Sequence, residues 1–169
     1  MGDDGAGAAA LAWLEAGWEL PAEVERLDLG TPGPYLAELL RGYEAVVVLD
    51  TVNGSGEPGE VRVYRGEDVA PITAAGPRLT PHAPNLREAL DELAVEDMKP
   101  RDFVLLGILP AHVALGTALS PAVAAGLPTL VAAAVAELGA LGHVLAPRAH
   151  PLEPDLWWTR PVEPVGEPA

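Results

Sequence analysis

Three short apolar runs, each fenced by turn-forming residues, constrain this chain more than any other feature: Val24 to Leu29, Ala45 to Leu49 and Phe103 to Leu109. They are β-branched-rich and too short for buried helices, so they read as strands of a sheet covered on both faces. A fourth run, Glu60 to Tyr64, alternates charged and apolar residues after the loop Gly54 to Gly59. That pattern predicts an edge strand reached by a hairpin and antiparallel to its neighbour. Between these runs, Ala8 to Ala16, Pro34 to Arg41 and Leu86 to Leu93 carry apolar residues at helical spacing. Ser120 followed by Pro121 is a helix-start signature, and Pro128 begins or kinks a long C-terminal helix reaching about Leu141. Strands alternating with helices predict an α/β class, a three-layer α/β/α sandwich around a twisted mixed, mostly parallel sheet.

One element is absent from this pattern. The chain opens with the loop Gly2-Asp3-Asp4-Gly5 and a helix, whereas a doubly wound domain leads into its helices from strands. The expectation is that the first strand is missing from this chain and is encoded, as an apolar segment, just upstream of Met1. With 169 residues, 49% of them hydrophobic, there is material for one core. Residues 1–146 read as that domain. Residues 147–169, with five further prolines after Pro147, read as a loosely packed tail whose Trp157 and Trp158 fold back on the body.

Composition narrows the function. Ten Lys and Arg against 25 Asp and Glu give a net charge of −15, which repels a nucleic-acid backbone. The absence of cysteine removes disulfides, thiolate metal sites and a cysteine nucleophile, so a metal would be held by His, Asp, Glu or backbone oxygen. The apolar stretch Leu127 to Leu141 is interrupted by Pro128, Thr129 and Glu137 and falls short of the roughly 20 residues of a bilayer span, so no membrane insertion is expected. Without a signal-like N-terminus, the expected location is cytoplasmic.

Three segments carry residues capable of chemistry. Asp3 and Asp4 precede a helix, where an aspartate is a natural cap, with glycines at 5 and 7 allowing a tight turn. Asp50 closes the run Ala45 to Leu49, either as a turn cap or at the strand edge where open α/β sheets place their sites. His82, in Leu79-Thr80-Pro81-His82-Ala83-Pro84-Asn85-Leu86, is either a surface loop residue or a ligand. Together, two carboxylates and an imidazole suit a borderline divalent metal such as nickel or zinc. His112, His143 and His150 have no matching carboxylate pair and read as surface or packing residues. The chain has no Gly-x-Ser-x-Gly elbow, Walker A run or full dinucleotide fingerprint.

The order of these motifs resembles the peptidases that mature the large subunit of nickel-iron hydrogenases. Gly2-Asp3-Asp4-Gly5-Ala6-Gly7 matches the second half of their first motif, and Asp28-Leu29-Gly30-Thr31 their Asp-Gly-Gly-Thr. Val46 to Asp50 followed by Glu57-Pro58-Gly59 matches the apolar strand ending in Asp, and Thr80 to Leu86 the Ser-x-His-x-x-x-Leu motif. Gly107-Ile108-Leu109-Pro110 and Leu119-Ser120-Pro121-Ala122-Val123 match the last. Leu29, in place of Gly, and Leu109, in place of a polar residue, depart from the pattern. The resemblance implies an endopeptidase that removes a C-terminal extension from a nickel-loaded hydrogenase large-subunit precursor. It places metal contacts on Asp4, Asp50 and His82, with Asp28 near the cleft. The ion implied is nickel presented by the precursor, or another divalent metal. Two alternatives keep the same fold: a metal- or precursor-binding chaperone without hydrolysis, and a related protease with another protein substrate.

Overall fold

The computed structural model describes residues 2–30, 32–69, 83–112 and 118–159. A 3-10 turn, Gly2–Gly5, leads into helix α1 (Ala6–Gly17), which is followed by a short strand β1 (Trp18–Glu19). Next come α2 (Leu36–Leu40), β2 (Ala45–Thr51), β3 (Val61–Arg65), α3 (Ala83–Val95), β4 (Asp102–Ile108), α4 (Pro121–Ala140) and β5 (Ala146–Pro147). The main sheet has the order β2-β4-β3. β2 runs parallel to β4 from the pair Ala45 and Asp102 to the pair Thr51 and Ile108, and β3 runs antiparallel to β4.

β4 holds the centre because its residues are apolar on both sides. Val104, Leu106 and Ile108 pack with α1 and α4, joined by Val47 and Leu49 of β2. Phe103 and Leu105 pack on the opposite face with α2 and α3, joined by Val46 and Val48. Alternate residues of one strand thus feed two separate cores, which makes the three-layer sandwich. Gly107 lets Val52 lie against the strand, since a Cβ there would fall 2.3 Å from the Val52 Cγ2.

Two expectations about strands are corrected. Val24 to Leu29 is not a strand: residues 24–29 pair with no strand among the described residues, and Glu25, Arg26, Leu27 and Asp28 are exposed. The charges there break the apolar run, with Arg26 bound to Glu15 and the Tyr43 hydroxyl donating to Glu25. The expected hairpin is also not formed, because β3 pairs with β4 and not with β2. A strand bearing Arg62 and Arg65 suits the outer edge, whereas β4, apolar from Phe103 to Ile108, needs neighbours on both sides.

α4 begins at Pro121, with the Ser120 hydroxyl accepting from the Val123 N–H at 3.4 Å, and Pro128 lies inside it. The helix is longer than the apolar stretch read from sequence, and by length and composition it is sufficient to cross a membrane. Here one stripe, Val123, Leu127, Leu130, Val131 and Ala134, is buried in the core with α1. Its last turn is tied to the sheet by the Glu137 carboxylate, which accepts from Arg65 Nε at 3.1 Å. Beyond α4 the chain folds back on the end of α1. β5 pairs with β1, the Arg148 N–H donates to the Gly17 carbonyl, and the Leu152 N–H donates to that of Ala16. Leu156 and Trp158 then pack against the first core.

Candidate functional site

The carboxyl end of β2 and the Gly2–Gly5 turn are forced together by one glycine. A Cβ on Gly7 would lie 2.2 Å from the Leu49 carbonyl oxygen, so α1 sits directly on the backbone of β2 one residue before Asp50. Asp4, one turn earlier, and Asp50 therefore line the same cleft, of about 410 Å³, together with Asp28. Gly7→Ala is expected to destabilise the protein by about 1–3 kcal/mol, because the obstacle is backbone and cannot rotate away. The check is the urea midpoint, and an unchanged midpoint would mean that the helix is not seated this way.

Neither aspartate caps α1, which has no side-chain cap, so the capping reading is corrected. Asp3 turns inward instead and is 2% exposed. One of its carboxylate oxygens accepts from the Ser120 N–H at 2.6 Å, the other from Ala111 at 2.9 Å and His112 at 3.3 Å. Burial is the largest single influence and would raise the Asp3 pKa, but the N–H groups of Ser120, His112 and Ala111 together outweigh it and hold the carboxyl below its ordinary value. Asp3 thereby pins the N-terminal turn to the loop leaving β4 and to the start of α4.

Asp4 is different. Its Oδ1 is buried and has no hydrogen-bond partner, and the same holds for Oγ1 of Thr51, a residue 3% exposed beside Asp50. A buried oxygen anion without a donor is the donor type a hard or borderline cation requires. Asp50 accepts from the Thr51 N–H at 2.7 Å through Oδ1. Asp28 accepts from the Gly30 N–H at 3.1 Å and from the Trp157 indole N–H at 3.2 Å, so the folded-back tail reaches the rim of the cleft. His82 lies outside the described residues. Among the described residues no three His, Asp or Glu side chains gather closely enough to hold a metal, so Asp4, Asp28 and Asp50 are not a three-carboxylate centre by themselves.

The two departures from the expected motifs find places. Leu29 lines the cleft, whereas Leu109 is buried in the second core and touches Gly54 and Gly56 of the loop before β3. His143 lies 4.0 Å from a Glu23 oxygen on the cleft wall, and His112 and His150 are exposed. Reading the sequence missed the roles of Asp3 and Thr51. No local signal marks either, because Asp3 bonds to residues more than a hundred positions away.

An α/β/α sandwich with carboxylates at the carboxyl edge of its sheet, one of them with a buried oxygen that has no hydrogen-bond partner, has its cleft where open α/β folds place their sites. The comparisons make this specific. The family model for hydrogenase maturation protease matches residues 11–137. The hydrogenase expression/formation protein HupD of Rhodobacter capsulatus is 31% identical over 141 residues, covering 83% of this chain and 67% of that protein. HupM of Azotobacter chroococcum mcd 1 is 29% identical over 147 residues, covering 86% and 70%. Among solved structures, the hydrogenase maturating endopeptidase HybD from Escherichia coli superposes with a TM-score of 0.82 at 26% identity, over 88% of this chain and 91% of that one. The [NiFe] hydrogenase maturation protease HybD from Thermococcus kodakarensis gives 0.64 at 30% identity, over 79% and 88%. The chain belongs to the hydrogenase maturation protease family, and it is a peptidase.

Proposed function

We propose that this chain removes a C-terminal extension from the large-subunit precursor of a nickel-iron hydrogenase, after nickel has entered the precursor, in the cytoplasm. The observation that carries this reading is the Asp4 oxygen, buried and unpartnered in the cleft that Asp50 also lines, in a chain of this family. Asp4 and Asp50, with His82 from outside the described residues, are the contacts offered to the nickel that the precursor presents. Asp4, Asp50 and His82 would hold that nickel, which would supply polarisation of the neighbouring peptide carbonyl and water. Asp28, fixed at the rim by Gly30 and Trp157, orients the extended substrate chain where it enters. A precursor without nickel lacks the anchoring contact and is not positioned for cleavage. In this arrangement residues 1–146 carry the peptidase, and in the tail from 147 onward Trp157 braces the rim.

The test is incubation of the protein with a large-subunit precursor in nickel-loaded and nickel-free forms, followed by mass spectrometry. A single shortened product from the loaded form alone is expected. Stable binding without a product indicates the chaperone reading, and equal cutting of both forms removes nickel from the recognition step.

A further inference from the structure

Buried polar side chains in folded proteins are as a rule hydrogen-bonded. Among the described residues two buried side-chain oxygens have no partner, Asp4 Oδ1 and Thr51 Oγ1, and both residues line the cleft. They belong to one corner of the molecule. Thr51 ends β2 opposite Ile108 of β4. Val47, Leu49 and Ile108 all lie in the core shared with α1, so the alternation of side chains along β2 turns Thr51 toward the α1 layer as well. Asp50, next in the series of Val46 and Val48, turns toward the α2 and α3 layer. The Gly2–Gly5 turn lies beside β2 on the α1 side, because Gly7 seats the helix on the Leu49 carbonyl. Asp4 and Thr51 therefore share the α1 side of this end of the cleft.

The corner is held in place from two directions. Asp3 ties the turn to Ala111, His112 and Ser120, and the Asp50 carboxylate accepts from the Thr51 N–H at 2.7 Å. The carboxylates of Asp4, Asp28 and Asp50 can only accept hydrogen bonds at neutral pH, whereas Thr51, 3% exposed, brings an O–H to the same cleft. Acceptors suit a cation. A peptide carbonyl needs a donor, and a donor shielded from water and held by its surroundings is the kind that counts most toward charge developing on oxygen. We infer that Thr51 is a further catalytic residue: its hydroxyl donates a hydrogen bond to the carbonyl oxygen of the peptide bond being cut. This rests on the reading that the precursor is cleaved in the cleft beside Asp4 and Asp50. In the hydrolysis, water adds to the carbonyl carbon and the C=O π pair moves onto oxygen. Return of that pair expels the amine, which leaves with the proton that the water gives up. Thr51 keeps its own proton throughout. Its hydrogen bond strengthens as charge gathers on the oxygen, so it speeds the reaction more than it aids binding.

The experiment compares the parent chain, Thr51→Val, which keeps the shape and loses the hydroxyl, and Thr51→Ser, which keeps the hydroxyl, on the nickel-loaded large-subunit precursor. Thr51→Val is expected to lower kcat by about ten- to a hundredfold while KM changes by less than about twofold. Thr51→Ser is expected to restore kcat to within about threefold of the parent. The urea midpoint of Thr51→Val should equal or exceed that of the parent, because valine replaces a buried hydroxyl that nothing in the protein satisfies. A hydroxyl with a structural role alone gives the opposite result, a lower midpoint with kcat unchanged. Thr51→Val cutting as fast as the parent, or Thr51→Ser cutting as slowly as Thr51→Val, overturns the role of Thr51 and leaves the peptidase reading standing. A parent chain that leaves the loaded precursor whole overturns both, and is told apart because the loss is then not confined to the variant.

Discussion

Asp4→Asn should leave a nickel-loaded precursor essentially uncut, with kcat/KM lower by about a hundredfold or more, while its urea midpoint equals or exceeds that of the unaltered protein. The two expectations come from one observation. The Asp4 Oδ1 atom is buried without a donor, and a buried polar atom left unpaired costs about 1–3 kcal/mol, more when it is charged. A carboxylate kept under those conditions weakens the isolated protein, and its value lies in what it binds. Asparagine preserves the shape and removes the charge, so a cation presented by the substrate loses an anionic ligand while the core keeps its packing. Asp50→Asn is expected to lose cleavage in the same way, and His82→Ala tests the third contact. An Asp4→Asn protein that cuts at the normal rate, or that loses activity only in proportion to the fraction unfolded, would remove Asp4 from the site.

The largest effect on stability is expected from the neighbouring aspartate. Asp3→Ala removes the acceptor for three backbone donors, the N–H groups of Ser120, Ala111 and His112. Water can reach part of the loop but not Ser120, which is buried, so the loss is about 2–4 kcal/mol. The pH dependence has a definite sign. The folded-state pKa of Asp3 lies below the ordinary value of an aspartate, so its contribution is fully present above that ordinary value and is lost as pH falls through the folded pKa. At neutral pH the contribution is complete. Urea midpoints for the parent and Asp3→Asn, measured from pH 7 down to pH 2, should converge at the acid end. A constant difference across that range would show that the carboxylate is not the stabilising species. Asparagine can still accept through one oxygen but turns an NH2 toward the donors on the other side, so it is expected to fall between aspartate and alanine.

The two adjacent aspartates show how far the sequence could be read. Their motif located the turn, the helix after it and the sheet edge it must reach, because glycine spacing and apolar periodicity are local properties. The same logic found β2, β4 and the Ser120 cap of α4, and it placed the charged β3 at an edge. Residues 24–29 were misread because an extended, partly apolar segment is a strand only if another strand lies beside it, and that depends on the rest of the chain. The partner of β3 was misread for a related reason: adjacency in sequence suggested a hairpin, but the apolar β4 took the place between β2 and β3.

The sequence by itself determined the class of the fold, the strands β2 and β4, the helices that cover them and the family to which the chain belongs. Only the tertiary structure decided what each aspartate is for. Asp3 and Asp4 are neighbours with one chemistry, yet the first finds three N–H donors brought from the far end of the chain and the second buries an oxygen that finds none. Whether a carboxylate is satisfied depends on the donors that distant segments bring within about 3 Å of it, and local sequence carries no record of that distance.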